Sequence, residues 1–183
     1  MTTIRSAGAA DAPAVAAIYG HHVLTGLGTF EEVPPSDAEI AGRIAAVLAR
    51  GLPYLVAVDE AGAVIGFAYA APFRPRAAYR YTVEDSVYID PAHLGRGVGK
   101  ALVAAVIAAC EALGLRQMIA VIGDTGNAGS IGLHRSLGFE HQGIGKSLGY
   151  KHGRWVDIVW MQRVLNAGDA SAPDAGGLDL SGG

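Results

Sequence analysis

Two spacings of hydrophobic residues run along the chain and predict a protein built from both strands and helices. Alternating apolar and polar positions indicate strands, and apolar positions three and four apart indicate helices. Strands are predicted at residues 3–7, 54–59, 63–73, 83–90, 117–122, 139–144 and 155–163. Helices are predicted from residue 11 to about 26, from residue 36 onward, and at 97–113 and 127–137. The pattern favours a mixed α/β or α+β single domain.

Several polar residues and glycines mark where these elements begin and end. Asp11 is expected to cap the first helix, and Ser36 followed by Glu39 forms a capping box at the second. Residues 60–62 predict a hairpin turn, and Gly138 is a natural end for the last helix.

Composition limits the class of protein. The chain has 183 residues, 51% hydrophobic and 17% charged, which suits one folded domain. The richest apolar run, 98–115, is broken by Gly99, Lys100 and Glu111, so we expect a buried helix instead of a membrane span. Without a basic and apolar leader, the cytoplasm is the expected location. Residues 166–183 are Gly, Ala, Ser and Asp rich, and we expect a disordered tail after a domain of residues 1–165.

Charge and cysteine content exclude other classes. A net charge of −3 gives no reason to expect nucleic acid as a partner. Cys110 is the single cysteine, and its helical spacing to apolar residues favours a packing role. His21 and His22 point in different directions on a helix, so no metal site is predicted.

A glycine-rich segment, HLGRGVGK at residues 93–100, lies between a predicted strand and a predicted helix. Its glycines allow the backbone to approach a ligand, and the helix start presents free N–H groups to an anion. Arg96 and Lys100 add positive charge. A glycine turn without a ligand is the alternative, but the combination favours a phosphate or pyrophosphate site.

Two common phosphate motifs do not fit this segment. A P-loop would need Gly at the position of Leu94 and a hydroxyl at Ala101. The dinucleotide fingerprint would need Gly at Lys100 or at Leu102.

The motifs around this segment resemble the GNAT acetyltransferase superfamily. Residues 87–91, VYIDP, precede the x-x-G-x-G loop, and NAGSIGLHRSLGF at 127–139 is similar to the superfamily's second signature. The resemblance spans about residues 3–165. Residues 73–89 and 149–159 resemble its phosphinothricin and methionine sulfoximine acetyltransferase branch. Leu94 replaces the usual Gln or Arg, which would cost one cofactor contact, and His134 replaces the usual Tyr, as in that branch.

The resemblance implies a fold, a cofactor and an assembly. We expect a mostly antiparallel mixed sheet of about seven strands with about four helices, splayed at the cofactor site. Acetyl-CoA is the implied co-substrate, a small-molecule amine the implied partner, and a homodimer the implied assembly. The expected cofactor contacts are Val87, Tyr88, Ile89, Gly95, Arg96, Gly97, Val98, Gly99, Lys100, Asn127 and Ser130.

Amide formation from a thioester needs a base, oxyanion donors and stabilisation of the leaving thiolate. Strand alternation places Glu84, Ser86 and Tyr88 on one face, and the resemblance assigns the base role to Glu84. Periodicity alone leaves open that Glu84 only pairs with a nearby arginine. Backbone N–H groups at 87–89 are expected oxyanion donors. His134 is expected either to act on the thiolate or the amine, or to be a packed structural histidine.

The predicted acceptor site lies upstream of Glu84. Arg74 and Arg76, with Tyr79, suit an anionic amino acid, although a solvated basic loop is the alternative. The resemblance implies phosphinothricin, methionine sulfoximine or methionine sulfone as acceptor. The implied acceptor contacts are Arg74, Arg76, Tyr79, Tyr88, Phe30 and Glu31. Two other functions stay open, namely acetylation of a protein N-terminus or another amine, and non-catalytic sensing of acyl-CoA.

Overall fold

The computed structural model describes residues 2–173 and 176–180. Its described part contains seven strands and four α-helices. The strands are β1 (Thr3–Ser6), β2 (Tyr54–Val58), β3 (Val64–Pro72), β4 (Thr82–Ile89), β5 (Gln117–Gly123), β6 (Glu140–Lys151) and β7 (Arg154–Val164). The helices are α1 (Ala12–Thr25), α2 (Asp37–Ala49), α3 (Val98–Ala112) and α4 (Ala128–Ser136). No helix of this described part is long and apolar enough to cross a membrane.

All seven strands form one sheet in the order β1-β2-β3-β4-β5-β7-β6. Every neighbouring pair is antiparallel except β4 and β5, which are parallel. The prediction of a mixed, mostly antiparallel sheet with four helices is therefore confirmed. The sixth strand is longer than predicted, because it passes through two register shifts and continues to Lys151.

Helices cover both faces of the sheet, and each face has its own hydrophobic core. On one face α3 contributes Leu102, Val106 and Cys110, all fully buried. Burial raises the pKa of the Cys110 thiol to about 12, which agrees with its expected packing role. On the other face α1 and α2 pack through residues such as Val15 and Ile44 against aromatic side chains of the sheet. The sheet thus has two different faces, and a site in the middle of the sheet is lined by different residues on each face.

The helix ends agree only partly with the predictions. Ser36 Oγ accepts from the Glu39 amide at 3.3 Å, and the Glu39 carboxylate accepts from the Ser36 amide at 2.7 Å, so the predicted capping box is present. Asp11 occupies the N-cap position of α1, but its side chain makes no cap hydrogen bond. Its carboxylate accepts from Arg5 and from the Gly8 amide instead, because the charged guanidinium of Arg5 is a stronger donor than a helix amide.

The ladder between β4 and β5 ends early, and this break forms the gap that holds the site. The parallel pairing runs from Thr82 opposite Gln117 to Asp85 opposite Ala120. Beyond that pair, β4 continues against β3, and β5 continues against β7. The facing edges of residues 86–89 and 121–123 therefore diverge, and the predicted splay is confirmed.

The segment after β7 contacts the body of the domain. Asn166 Nδ2 donates to the carbonyls of Glu111 and Leu115, at 2.8 and 3.0 Å. Arg116 donates to the carbonyls of Gly168 and Ala172, both at 3.1 Å. Residues 174–175 and 181–183 of the predicted tail lie outside the described part of the chain. The boundary at residue 165 and the disorder of residues 166–183 stay predictions.

Candidate active site

A cleft of about 780 Å³ occupies the gap between β4 and β5. Its walls are the free edge of β4, the end of β5, the glycine loop, the first turns of α4 and the loop after α1. Because these elements come from both sides of the sheet, the cleft can receive one ligand from each side. Its closed end lies at Asp85 and Ala120, where the two strands pair again.

The glycine loop has the backbone shape that an anion site requires. Gly95 and Gly97 have φ angles of 73° and 79°, in the left-handed region that favours glycine. Gly97 is the N-cap of α3, and Ala101 is the first residue whose amide bonds back to it, at 3.0 Å. The amides of residues 98–100 are consequently left without helical partners at the cleft.

Ten of the eleven predicted cofactor residues line this cleft. They are Val87, Tyr88, Ile89, Gly95, Gly97, Val98, Gly99, Lys100, Asn127 and Ser130. Arg96 is exposed and does not line it. Gly99 lets α4 approach α3, since a Cβ there would lie 2.8 Å from Leu133 Cδ1. Asn127 caps α4, because its Oδ1 accepts from the Ser130 amide at 3.1 Å.

His22 is a cleft residue whose role the sequence did not indicate. Its Nε2 lies 2.8 Å from the Ile89 carbonyl oxygen, and its ring contacts Tyr88 with centroids 5.5 Å apart. Burial lowers its pKa, and the Ile89 carbonyl only partly offsets this, so the ring is neutral near pH 7 with the proton on Nε2. The sequence placed His22 on a helix but did not indicate which strand its side chain reaches.

Glu84 lies beside the closed end of the cleft, on the face of β4 that looks towards α1 and α2. Its side chain is half-buried and does not itself line the cleft. Burial and the adjacent charge of Asp85 raise its pKa, and Arg74 partly opposes this. Among the described residues no ion pair joins Glu84 to an arginine. The carboxyl group is therefore poised to take up a proton at a higher pH than an ordinary glutamate.

His134 lines the same cleft from the opposite face of β4. Its Nε2 is 3.0 Å from Asp85 Oδ2, and its Nδ1 is 2.8 Å from the Ser130 carbonyl oxygen. The ring is 3% exposed and contacts Phe139 edge-on. Both ring nitrogens are thus hydrogen-bonded within the protein.

Tyr88 of β4 lines the cleft, and the other five predicted acceptor residues come from two loops. Arg74, Arg76 and Tyr79 follow β3, where Arg74 lies over the Phe73 ring at 4.7 Å and Tyr79 meets that ring edge-on. Arg76 precedes a short 3-10 turn and is exposed. None of Arg74, Arg76 and Tyr79 lines the cleft in the described part of the chain.

The second acceptor loop joins α1 to α2. Phe30 lies against Gly149 of β6, and Glu31 accepts from Tyr19 Oη and, at two atoms, from Arg43. Like the first group, Phe30 and Glu31 do not line the cleft.

Tyr69 connects these acceptor residues to Glu84, although the sequence did not single it out. It lies on β3 opposite Ser86. Burial raises the pKa of its hydroxyl, and the charges of Glu84 and Glu31 raise it further. The carboxylates of Glu84 and Glu31 therefore both lie close enough to Tyr69 to affect the pKa of its hydroxyl.

The loop after α1 is held against the sheet on several sides. A Cβ at Gly123 would lie 2.0 Å from the Leu27 carbonyl oxygen, so β5 meets this loop at backbone contact distance. The ammonium of Lys151, 2% exposed, donates to the Thr29 carbonyl at 2.8 Å. The hydroxyls of Thr29 and Tyr19 are 2.8 Å apart. These contacts fix the segment that carries Phe30 and Glu31.

Among the described residues, no three His, Cys, Asp or Glu side chains could together hold a metal ion. The cleft presents backbone amides and a buried histidine–aspartate pair, and the carboxyl group of raised pKa, Glu84, lies beside its closed end.

Comparison with known proteins identifies the class that this fold and cleft define. Residues 22–139 match the family model described as the acetyltransferase (GNAT) family. The chain belongs to this family and is an acyltransferase of its phosphinothricin and methionine sulfoximine type. The resemblance inferred from the sequence is confirmed.

Individual relatives and structures agree with this assignment. The chain is 54% identical over 172 residues to the phosphinothricin N-acetyltransferase of Alcaligenes faecalis, covering 94% of this chain and 87% of the relative. It is 43% identical to the L-methionine sulfoximine/L-methionine sulfone acetyltransferase of Pseudomonas paraeruginosa, covering 90% and 95%. The crystal structure of a Sinorhizobium meliloti phosphinothricin acetyltransferase in complex with AcCoA matches with a TM-score of 0.93 and 53% identity, covering 96% and 95%.

Replacing Gly149 tests how firmly Phe30 is held. In Gly149→Ala the new Cβ would lie 2.4–2.7 Å from three atoms of the Phe30 ring, so the ring must move. We expect the free energy of unfolding to fall by about 1–3 kcal/mol, the usual cost of overpacking. Urea unfolding monitored by circular dichroism measures this change.

Gly42→Ala is the matched control. Gly42 lies inside α2, and a Cβ there meets nothing within 4 Å, so stability should stay equal or rise slightly. Equal stability of Gly149→Ala and the parent protein would contradict the close contact with Phe30.

Proposed function

We propose that this chain transfers the acetyl group of acetyl-CoA to the amino group of a small anionic amino acid, with Glu84 as general base. Phosphinothricin, methionine sulfoximine and methionine sulfone are the proposed acceptors. The observation that carries the proposal is a carboxyl group of raised pKa at the closed end of a splayed, amide-lined cleft. The acetyl-CoA complex of the similar Sinorhizobium meliloti enzyme and the names of the relatives support it.

The residues of the cleft fit acetyl-CoA. Gly95 and Gly97 leave open space where a Cβ would project, and the unpaired amides of residues 98–100 suit a pyrophosphate. Lys100 adds a cation at the same place. The unpaired edge of residues 86–89 offers backbone groups to the pantetheine amides, in the manner of an added strand. Leu94, 59% exposed, lines the cleft without offering a polar contact.

The arrangement suggests that the two substrates reach the cleft from opposite faces of the sheet. The thioester enters between α3 and α4, and the acceptor enters from the side of α1, where Glu84 and Tyr88 point. Glu84 removes a proton from the acceptor amine, directly or through one water. Amides at 87–89 stabilise the oxyanion of the tetrahedral intermediate. His134 stabilises the departing thiolate from the other face.

Charge on the two loops supports an anionic acceptor. Arg74 is close enough to Glu84 to influence its pKa, so its guanidinium can reach an acceptor bound beside that carboxylate. Arg76 and Tyr79 follow on the same connection, and Phe30 and Glu31 close the opposite side. A carboxylate and a phosphinate or sulfone oxygen are suitable partners for such planar donors.

The chain is also proposed to act as a cytoplasmic homodimer. Large apolar side chains are exposed along β6 and β7, where Leu148 and Tyr150 are each 59% and Trp155 66% exposed. Such a patch supports a contact with a second copy. Sedimentation equilibrium at micromolar concentration would test the assembly, and a monomer would contradict it.

An assay with a panel of acceptor amines tests this function directly. The purified enzyme with acetyl-CoA should release free thiol with phosphinothricin, methionine sulfoximine or methionine sulfone, and much less with a polyamine or a peptide N-terminus. No turnover with any of the three amino acids would overturn the proposed acceptor class.

Glu84→Gln tests the general base. We expect kcat to fall by about 10²–10⁴ while the Kd for acetyl-CoA is unchanged. In the parent enzyme kcat/KM should rise with pH as Glu84 ionises. Because the pKa of Glu84 is raised, this rise should lie above pH 4.5, the ordinary pKa of glutamate, and the variant should lack it. Glu140→Gln, on the exposed start of β6, is the control. Equal rates for Glu84→Gln and the parent would remove Glu84 from the mechanism.

Gly97→Ala tests the anion site separately from folding. The substitution strains a left-handed residue by about 1–2 kcal/mol and should raise the Kd for acetyl-CoA by about tenfold. Gly51→Ala places the same strain, at φ 72°, after α2 and far from the cleft. Isothermal titration calorimetry should therefore show weaker binding only for Gly97→Ala, and equal binding by both variants would contradict the assignment.

Arg74→Gln tests recognition of the acceptor. Loss of a charge-assisted hydrogen bond should raise the KM for the amino acid by about 10–100-fold and leave the KM for acetyl-CoA unchanged. Arg50→Gln, at the exposed end of α2, is the matched control. An unchanged acceptor KM in Arg74→Gln would favour a solvated basic loop.

A further inference from the structure

Asp85 and His134 form a buried acid–imidazole pair at the closed end of the cleft. Their side chains are 1% and 3% exposed, and Oδ2 and Nε2 are 3.0 Å apart. Asp85 is the last β4 residue paired with β5, and His134 comes from α4. The pair therefore joins the point where the sheet splays to the helix that forms one wall of the cleft.

The hydrogen bonds of His134 define its protonation. The Ser130 carbonyl, 2.8 Å from Nδ1, can only accept, so Nδ1 carries a proton. Nε2 faces a carboxylate, which also accepts when ionised. Burial disfavours a charged ring, but the hydrogen bond and charge of Asp85 outweigh it, and the pKa of His134 is raised above 6.5. A doubly protonated imidazolium satisfies both contacts.

The groups around the His134 ring indicate that Asp85 is the residue that keeps the ring protonated. Phe139 meets the ring edge-on at 4.9 Å, and the buried Cys110 thiol of α3 stays protonated. Glu84 neighbours Asp85 in the strand but points to the other face. In the described part of the chain, the Ser130 hydroxyl at 3.4 Å is the remaining polar side chain near Nδ1. Hence Asp85 supplies the one carboxylate that the ring contacts.

The second carboxylate oxygen shows that this pair is costly to bury. Asp85 Oδ1 is buried and has no hydrogen-bond partner within the described residues. A buried, half-satisfied carboxylate opposes folding, and an apolar residue would pack there at less cost. The pair also lines the cleft. An action of its charge on a bound ligand would account for keeping a pair that lowers the stability of the fold.

We propose that Asp85 is a positioning residue, which holds His134 as a fixed imidazolium that stabilises the departing thiolate. The proposal rests on the proposed acetyl transfer. When the tetrahedral intermediate collapses, the C–S bond breaks and its electron pair goes to sulfur, while the proton of the amine resides on Glu84. The imidazolium stabilises the negative sulfur and keeps both of its own protons. Glu84 then releases its proton to solvent and the thiolate takes up a proton from solvent, so the products are the N-acetylated amine and the free thiol.

Asp85→Asn separates this role from a structural one. The amide keeps the shape of Asp85 but can donate to Nε2, so the ring becomes neutral near pH 7. We expect kcat to match the parent at low pH, where the ring still charges, and to fall by about 10²-fold at higher pH. The Kd for acetyl-CoA should be unchanged. Asp37→Asn, on the exposed first turn of α2, is the matched control.

The ring can also be observed directly in the parent protein. In ¹⁵N-histidine NMR at pH 7, both nitrogens of His134 should show the shifts of protonated imidazolium, and Asp85→Asn should show one unprotonated nitrogen. A neutral His134 in the parent overturns the proposal even if Asp85→Asn does not fold. A pH-independent loss of kcat, or no loss, in a folded Asp85→Asn also overturns it. Because NMR needs no acceptor, failure of the acceptor panel overturns the proposed function separately.

Discussion

The parallel ladder between β4 and β5 stops at the pair Asp85–Ala120, and the site depends on this break. A sheet that stayed paired would leave no free strand edge for a ligand and no passage between its two faces. Each strand keeps its other neighbour, β3 or β7, so the break leaves only the facing edges of residues 86–89 and 121–123 without a strand partner. These unpaired backbone groups are left available to a bound ligand, and the gap brings the proposed cofactor side and the proposed acceptor side to one point.

Around that point the charges are arranged on opposite faces of one strand. Glu84 looks towards α1 and has a raised pKa, whereas Asp85 looks towards α3 and is paired with His134. Strand alternation is enough to separate two adjacent carboxyl groups in this way. Burial and the charge of Asp85 raise the pKa of Glu84, while the ring of His134 lies against Asp85 on the other face. The dipeptide Glu84–Asp85 thus carries two acidic groups in different environments, one on each face of the strand.

Much of this architecture could be predicted from local patterns. Gly97 before an apolar helix predicted the glycine loop that lines the cleft, and the alternation from Val83 to Ile89 predicted the face of Glu84. Interactions between distant segments could not be predicted in that way. His22 bonds to a residue 67 positions later, and the Asp85–His134 pair spans 49 positions. Asp11 was misjudged because Arg5, a partner across a turn, competes for its carboxylate, and β6 was predicted too short because its glycines hide bulges within a continuous strand.

The attachment of the α1–α2 loop has a consequence for how the enzyme can diversify. Gly123 and Gly149 meet this loop too closely for any side chain, and Lys151 holds it through a main-chain carbonyl. The Gly123 and Lys151 contacts do not depend on which side chains the loop displays, whereas the Gly149 contact is with the Phe30 ring itself. The backbone there is held by contacts with its own main chain, so a side chain displayed by the loop can be exchanged without a new loop conformation. On the proposed acceptor site, a point mutation in this loop would therefore change the acceptor while the affinity for the acyl donor is preserved.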